Sequence, residues 1–431
     1  MADPTPDLTD QPERDVAVEP GEAGRVESTP DVPPAGHALG RRRLLGHLGT
    51  AGVGLAAGAA AGWGLRPAPA QAAPVVIRQR YSPWGEHQTG ITTPTPAATE
   101  IIAFDLLDGV DGDKLGRLLR LWSTDVAAAM RGRPIPGDVV PEMAQEAVSL
   151  TVTVGFGAKV FDLPGVTAPP PVGLTDIPAM NHDKLEARWG GGDLVVLVAA
   201  DDPTTVAHVK RRLVVDAETF AKPRWVQTGS WRGTDGQGRA VTGRNMFGQV
   251  DGSANPKDDL LASTVWDTST EWRGGTQLVI RRIEMDLEVW DTLTRERHDK
   301  AVGRRIQDGA PLTGGTEHDD VDLAATDEHG PVIALDAHAR RSHPSQNGGR
   351  RILRRGLNYT HEEFVDGAWR SSAGLVFLSF QANTATQFVP IQQRLDQSDA
   401  LNEWTHAVGS AVFAIAPGFN EGGWIGQGLF S

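Results

Sequence analysis

Residues 193–200 read Asp-Leu-Val-Val-Leu-Val-Ala-Ala, and Asp202-Pro203 follows one residue later. An uninterrupted apolar run of this length, rich in β-branched side chains, is typical of a strand that is buried on both faces. Asp followed by Pro is a favoured helix start, because Asp caps the first free amides and Pro fits the first turn. The stretch therefore predicts a buried strand that leads into a helix, which is one step of a helix-covered sheet.

The residues around this stretch complete a recurring motif. The predicted elements are strands at Glu100–Leu107, Val148–Val154 and Trp225–Arg232 and a helix at Gly112–Met130. Apolar residues in that helix recur at helical spacing, and those from Val148 to Val154 alternate as in a half-buried strand. The resulting order, strand–helix–strand–strand–helix–strand, is that of a ferredoxin-like unit.

The second half of the chain predicts the same plan with a large insertion. Its predicted elements are a strand at Thr276–Ile283, a helix through Leu287, Trp290 and Leu293, an apolar strand at Val332–Leu335, a buried strand at Gly374–Gln381, a helix at Gln387–His406 and a strand at Ala411–Ala416. A long loop-rich region extends to about Arg350. We expect an α+β fold of two ferredoxin-like units with antiparallel sheets and peripheral helices, divided into residues 74–247 and 248–431.

Composition excludes several classes of site. The chain has 431 residues, a net charge of −14 and no cysteine. Disulfides, zinc–thiolate sites and iron–sulfur clusters are therefore excluded, and a bound metal must be held by histidine, carboxylates or a prosthetic group. Such an acidic chain is also a poor candidate for binding nucleic acid.

The N-terminus predicts an export signal. Residues 1–40 are acidic and Pro-rich, and we expect a disordered tail. Residues 41–73 begin with Arg41-Arg42-Arg43-Leu44-Leu45, continue as a Gly/Ala-rich apolar run and close with the small-residue cleavage pattern Ala70-Gln71-Ala72-Ala73. This pattern resembles a signal for the twin-arginine export machinery, so we expect a protein that is secreted or lies in the cell envelope or periplasm. The alternative is a single membrane anchor. A stretch so rich in Gly and Ala would insert poorly into a membrane.

The segment Gly248-Gln249-Val250-Asp251-Gly252 holds a carboxylate between glycines. A structural Asx turn is the simple explanation. The functional explanation is that Gly252 lets the backbone approach a flat ligand closely, at the junction of the two predicted units, where ligand sites concentrate. Asp251 would then present an acid/base group to that ligand.

His338 stands out among the histidines by its surroundings. It follows the apolar stretch Val332–Leu335 and precedes six arginines, at positions 340, 341, 350, 351, 354 and 355. A solvated basic face or an RNA site is one interpretation of these arginines, but in an acidic chain we expect them to meet a specific anion. His343 is the competing metal ligand and ranks lower, because it precedes Pro344 in a polar loop. We interpret the acidic stretch Glu317–Asp320 as a solvated loop rather than a metal site.

Four motifs in order resemble the dye-decolorizing peroxidases of the exported bacterial type, over nearly everything after residue 80. They are Gly85-Glu86-His87-Gln88-x-Gly90-Ile91, the GxxDG motif at Gly248–Gly252 with Ser253-x-Asn255-Pro256, the run from Asp336 to Gly356 with Asn358-Tyr359, and Gln392-x-Arg394-Leu395 with Asp399-x-Leu401-Asn402.

The resemblance implies a fold of the dimeric α+β barrel superfamily with one haem b per chain in the C-terminal half. It implies His338 as the axial ligand of the haem iron, Asp251 and Arg354 as the catalytic acid/base and guanidinium, Gly252, Arg340, Leu375 and Phe377 as cofactor contacts, and Asp399 or Asp396 as the carboxylate on the other nitrogen of His338. A carboxylate there raises the basicity of the imidazole.

The implied activity is the reduction of hydrogen peroxide through a ferryl intermediate, with oxidation of bulky dyes and phenolic or lignin-like compounds. Because such reductants are too large for a pocket lined by Leu and Phe, Tyr359 is the best candidate for an electron relay to the surface. Trp404 and Trp290 are alternatives, which we expect in the core instead. The alternative is an exported haem-binding or iron-releasing, deferrochelatase-like protein with little peroxidase turnover; a cofactor-free scaffold is a third. A homo-oligomer stays open.

Overall fold

The apolar stretch at residues 193–200 forms the centre of an antiparallel sheet. The computed structural model describes residues 79–145, 148–237 and 239–430. Its strands are β1 (Ala98–Leu106), β2 (Thr151–Phe156), β3 (Leu194–Ala200), β4 (Ala221–Ser230), β5 (Thr276–Met285), β6 (Thr326–Asp327), β7 (Gly330–Pro331), β8 (Leu353–Val365), β9 (Ala368–Gln381) and β10 (Thr405–Ile415). All seven residues of β3 are buried, which confirms the strand predicted from its apolar run.

The helices lie between these strands along the chain. They are α1 (Gly112–Met130), α2 (Glu142–Gln145), α3 (Pro203–Ala217), α4 (Asp258–Val265), α5 (Leu287–Trp290), α6 (Arg295–Val302), α7 (His338–Ser342) and α8 (Val389–Ser398). The helix start predicted at Asp202-Pro203 is confirmed, because the Asp202 carboxylate accepts hydrogen bonds from the amides of Thr204 and Thr205. Among the described residues, no helix is both long and apolar enough to span a membrane.

Strand order confirms the α+β fold. The first four strands lie in the order β4-β1-β3-β2, and β10-β5-β9-β8 is the same order in the second half. This order belongs to the ferredoxin-like βαββαβ unit. The two sheets meet at Phe156 opposite Ala414 and at Ser230 opposite Asn358, which closes them into an eight-stranded antiparallel barrel. The boundary predicted between residues 247 and 248 stays a prediction, because the described residues fall within one compact unit.

The strands of the barrel bury side chains on both of their faces, one against the helices and one in the barrel interior. Strand β2 was predicted to be half-buried, but all six of its residues are buried. Val152 and Val154 pack against the helical layer of α1 and α3, whereas Thr151 and Thr153 point into the barrel. Successive side chains alternate between the faces of a strand, so a strand between a helical layer and a filled barrel has no solvent-exposed face.

The second half departs from the predicted elements at four points. The helix predicted through Leu287 and Leu293 is one turn, Leu287–Trp290, followed by the separate helix α6. Residues 332–335 form bends and turns rather than a strand, and strand β8 was not predicted.

The fourth departure is the helix predicted at 387–406. It ends at Ser398, because Asp399 is extended and its carboxylate caps the next turn at the amide of Leu401.

Candidate functional site

A cavity of about 260 Å³ lies between the outer face of strands β5 and β9 and helices α7 and α8. A water molecule needs about 10–15 Å³ on the same measure, so the cavity has room for an organic cofactor. Most of the residues that the sequence singled out line it: Asp251, Gly252, His338, Arg354, Leu375, Phe377 and Asp399.

His338 is the first residue of α7 and is held from behind by Asp399. Its Nδ1 lies 2.6 Å from Oδ2 of Asp399, the residue that directly follows α8. Asp399 is buried, and its other oxygen accepts from the amide of Leu401 at 3.0 Å, which fixes the carboxylate. Burial disfavours a charged imidazole, but the charge and hydrogen bond of Asp399 outweigh it and raise the pKa of His338.

This arrangement leaves Nε2 of His338 as the ring nitrogen available to a ligand. Among the described residues none hydrogen-bonds that nitrogen. An imidazole whose Nδ1–H is fixed by a carboxylate presents a basic Nε2, which is the usual arrangement of a metal-bound histidine. Asp396, the other carboxylate considered from the sequence, also lines the cavity but bonds to other residues: it accepts from Asn181 and from the ring and amide of His182.

His343 also reaches the cavity, but both of its ring nitrogens are already engaged. Its Nε2 lies 2.9 Å from Oδ1 of Asp320, and its Nδ1 contacts the backbone amide and hydroxyl of Ser345. His338 is therefore the better placed ligand. Within the described ranges, no group of three or more His, Asp and Glu side chains could hold a metal, and this includes Glu317–Asp320.

Asp251 and Arg354 form an ion pair at the cavity wall. Nη1 of Arg354 donates to Oδ1 of Asp251 at 3.1 Å, and Nδ2 of Asn245 lies 3.3 Å from Oδ2. The side chains of Asp251 and Arg354 keep 15% and 26% of their surface exposed. Gly252 has φ of +119°, a backbone conformation that side-chain-bearing residues rarely adopt, so the turn after Asp251 requires glycine.

Asn255 joins the loop of Asp251 to the strand of Arg354. Its Nδ2 donates to the carbonyl oxygen of Arg354 at 2.8 Å, and its Oδ1 accepts from the Arg354 amide at 3.1 Å. This double contact fixes the relative position of the two elements that carry the acid/base and the guanidinium. Asn255 belongs to the motif that follows Gly252, but nothing in the sequence predicted its contact with the backbone of Arg354.

Leu375 and Phe377 supply an apolar part of the cavity wall. They are alternate residues of β9 and therefore leave the strand on the same face. On the neighbouring strand β5, Arg281 faces the same cavity and pairs with Asp183. Arg281 was missed from the sequence, because nothing in the strand marks which of its two adjacent arginines, Arg281 or Arg282, faces the cavity.

Arg340 does not line the cavity, contrary to its predicted contact with the cofactor. Its guanidinium donates to the carbonyl oxygens of Leu323 and Ile333, so it braces the loop before α7 instead. Arg350 and Arg351, from the same arginine-rich run, do line the cavity. The positive charge predicted for an anionic ligand therefore comes from residues other than Arg340.

Tyr359 lies inside the barrel rather than beside the cavity. It is an odd number of residues from Arg354 on the same strand, so the two side chains leave β8 on opposite faces. Tyr359 is 3% exposed, and its hydroxyl has no partner among the described residues. The guanidinium of Arg282 lies 4.4 Å from its ring and 4.3 Å from the ring of Trp189. Burial raises the pKa of the Tyr359 phenol.

The donor set fits a haem. A half-buried histidine backed by a buried carboxylate can bind the iron, Leu375 and Phe377 can cover an apolar macrocycle, and Arg350 and Arg351 can meet its carboxylates. Asp251 and Arg354 do not belong to a mere binding site, because a haem needs neither a free acid/base nor a guanidinium to be held.

Comparison with known proteins gives an independent result. Residues 88–231 match the model of the Dyp-type peroxidase N-terminal domain, and residues 242–420 match that of the C-terminal domain. A dye-decolorizing peroxidase of Thermobifida fusca is 36% identical over 425 residues, which cover 90% of this chain and 96% of that protein.

Two further relatives extend the comparison. A deferrochelatase of Escherichia coli O157:H7 is 30% identical over 404 residues, which cover 88% of this chain and 94% of that protein. The crystal structure of a DyP-type peroxidase from Cellulomonas bogoriensis is 42% identical, with a TM-score of 0.77, and the match covers 82% of this chain and 99% of that one.

Proposed function

The chain belongs to the Dyp-type peroxidase family and is a haem-dependent peroxidase, and from this premise we propose that it reduces hydrogen peroxide in the cavity between α7 and β9 while oxidising bulky dyes and phenolic or lignin-like compounds. One observation carries the assignment of the site: the His338–Asp399 pair and the Asp251–Arg354 pair line the same cavity. A single ligand in that cavity can therefore meet both.

His338 would hold the haem iron through Nε2. Asp399 keeps the proton on Nδ1 and strengthens the donation from the ring, because a carboxylate partner makes an imidazole more basic. When bound, the haem supplies a redox-active iron at which the O–O bond of peroxide is cleaved.

Asp251 is the proposed acid/base. Its carboxylate would take a proton from one oxygen of hydrogen peroxide and return it to the other, which could then leave as water. Arg354 donates to Asp251 from a position in which the same guanidinium can stabilise the anionic peroxide and the charge that separates as the bond breaks. Asn255 holds the backbone of Arg354 against the Asp251 loop and so preserves this geometry.

Bulky reductants are proposed to give up electrons at the surface. A cavity of about 260 Å³ that already holds a haem has no room for a dye. The stack of Tyr359, Arg282 and Trp189 leads from inside the barrel to Trp189, which is partly exposed. We expect Tyr359→Phe to slow the turnover of a bulky dye and to leave the rate of peroxide consumption by a small reductant unchanged. Equal loss with both reductants would argue against a relay.

Export by the twin-arginine pathway to the cell envelope, the periplasm or the medium is also part of the proposal. It rests on residues 41–73, which lie outside the described residues, and on the family's need to acquire a cofactor before a folded protein is exported. Replacing Arg41 and Arg42 together by lysine should keep the protein in the cytoplasm; unchanged export would exclude this route.

A pair of histidine variants tests the proposed haem site. His338→Ala should lose haem or its native absorption spectrum, because Nδ1 of His338 is held by the buried Asp399 and its Nε2 has no protein partner among the described residues. His343→Ala is the matched control: it removes a histidine from the same cavity and should retain haem and its spectrum, because both nitrogens of His343 bond to protein. The reverse result would refute the axial assignment.

A further inference from the structure

Arg355 is a charged side chain sealed inside the barrel. It follows Arg354 on β8 and therefore points to the opposite face of the strand, away from the cofactor cavity and among the inward-facing residues Leu353 and Leu357. Only 9% of its surface is exposed. No carboxylate contacts its guanidinium anywhere in the described part of the chain. A buried charge without a partner costs several kcal/mol, on the order of the whole stability margin of a domain.

Only one of the three nitrogens of this guanidinium, Nη1, donates hydrogen bonds to described residues of the protein. Nη1 donates to the carbonyl oxygens of Ile91 and Thr93, the first at 3.3 Å. Nε and Nη2 have no acceptor among the described residues. Carbonyl oxygens also carry no net charge, so they cannot neutralise the group.

The charge on Arg355 persists at neutral pH. Burial lowers the pKa of its guanidinium to about 10, which still leaves it protonated. Tyr81 is the ionisable side chain that acts on it, and burial together with Asp201 raises the pKa of that phenol, so Tyr81 is neutral at pH 7. None of the described residues that act on Arg355 thus offers a compensating negative charge.

A small cavity lies beside Arg355. Its volume is about 10 Å³, and it is lined by the side chains of Thr95, Thr99, Thr151 and Thr153 as well as by Arg355. The Thr153 hydroxyl donates to the carbonyl oxygen of Thr89, whereas those of Thr99 and Thr151 bond to none of the described residues. Thr99 and Thr151 are 4% and 1% exposed. Free hydroxyl donors and a guanidinium therefore meet in a space for one water-sized particle.

We propose that this cavity binds a small monatomic anion, of which chloride is the abundant example, held by the Arg355 guanidinium and the hydroxyls of Thr99 and Thr151. The volume excludes phosphate, sulfate and carboxylates, and the guanidinium and the hydroxyls of Thr99 and Thr151 can all donate hydrogen bonds to an anion. A water molecule could accept the same hydrogen bonds but would leave the charge uncompensated.

Arg282, which is also buried in the barrel, shows how the protein neutralises a guanidinium when a carboxylate is at hand. Its Nη1 lies 3.4 Å from Glu284, Nε donates to Gln227 at 2.8 Å, and its face is covered by the rings of Trp189 and Tyr359. Arg355 has no counterpart of Glu284. The bound anion takes that place and ties β8 to β1 and β2 across the interior, a stabilising role separate from peroxide chemistry.

Crystals of the haem-loaded protein soaked in bromide give the direct test. Diffraction at the bromine absorption edge should show an anomalous peak within hydrogen-bond distance of Nη2 or Nε of Arg355 and of a threonine hydroxyl. The peak should be absent in Arg355→Met and weaker in Thr151→Val. The second substitution keeps the charge of Arg355 and the side-chain volume at position 151 but removes a hydroxyl donor. Ordered density without an anomalous signal would identify water and would overturn the proposal.

Thermal unfolding supplies a second readout on the same variants. Sodium chloride or bromide should raise the melting temperature of the wild type by about 2–5 °C in a saturable way, relative to sodium gluconate at equal ionic strength. Thr151→Val should shift that saturation to higher halide concentration, and this result remains informative if Arg355→Met does not fold. Identical melting curves in halide and gluconate for the wild type would contradict an anion site.

Discussion

Asp399→Asn isolates the effect of the carboxylate behind His338. The substitution keeps the side-chain volume and one oxygen that can accept from Nδ1 of His338, but removes the negative charge that lies 2.6 Å from that nitrogen. A hydrogen bond to a charged group contributes about 1.5–3 kcal/mol and one between neutral groups about 0.5–1.5 kcal/mol. The loss is thus about 1 kcal/mol, which for a one-electron couple corresponds to about 50 mV.

The expected direction follows from charge. The carboxylate strengthens donation by His338 and favours the ferric over the ferrous haem, so its removal should raise the midpoint potential by on the order of 50 mV. Spectroelectrochemical titration of the haem-loaded protein measures this. Asp396→Asn is the matched control, because Asp396 lies three residues earlier in the chain and bonds to His182 rather than to His338. An unchanged potential in Asp399→Asn with haem retained, or an equal shift in Asp396→Asn, would refute the reasoning.

Two further substitutions test other parts of the account. Arg354→Leu should retain haem and slow the first reaction with peroxide by a factor on the order of 10²–10³, and a stopped-flow rate equal to that of the wild type would remove Arg354 from the mechanism. Burial, and then the hydrogen bond and charge of Asp216, raise the pKa of Asp125 to about 8. The folded state therefore binds more protons than the unfolded state between pH ~4 and ~8. As a result, the free energy of unfolding falls as the pH rises through that window. Asp125→Asn should remove this fall and raise the free energy of unfolding at pH 8 by on the order of 2 kcal/mol; urea titrations at pH 5 and 8 that run parallel to those of the wild type would contradict this.

The fold could be predicted where local pattern and tertiary packing agree. The buried run of β3, the helix α1 and the Asp202 cap all have sequence signals that the structure confirms. Strand β8 was missed because Arg355 occupies an inward position among Leu353, Leu357 and Tyr359, which interrupts the alternation, and because the outer part of the β8–β9 hairpin is largely exposed on both faces.

Helix α8 was overextended for a related reason. Leu401 and Trp404 continue an apolar helical spacing beyond Ser398, but Asp399 adopts an extended backbone and caps the turn Ala400–Glu403. Only the tertiary contact of Asp399 with His338 shows why the chain turns at that point. Periodicity alone therefore extends the helix through the residue that matters most to the site.

Site residues could be found from the sequence when motif and chemistry pointed the same way. Asp251, His338 and Arg354 are brought together in one cavity as expected, and Asp399 rather than Asp396 contacts His338. Arg340 was misassigned because nearness to His338 in the chain does not fix the direction of a long side chain.

The side-chain direction of Tyr359 also could not be predicted from its position in the sequence. Once β8 is recognised, an odd separation from Arg354 requires that the two side chains lie on opposite faces of the strand. Any relay must therefore pass through the interior of the barrel, and Trp189 could not have been associated with Tyr359 without the three-dimensional contact through Arg282.

The most direct measurement is an absorption spectrum of the haem-loaded protein before and after one equivalent of hydrogen peroxide, followed by addition of a dye. The account predicts a Soret band that shifts on addition of peroxide and returns to its starting position as the dye is bleached. A Soret band that does not respond to peroxide would contradict the proposed roles of Asp251 and Arg354 and favour a haem-binding or iron-releasing protein. No Soret band would contradict the assignment of the His338 cavity as a haem site.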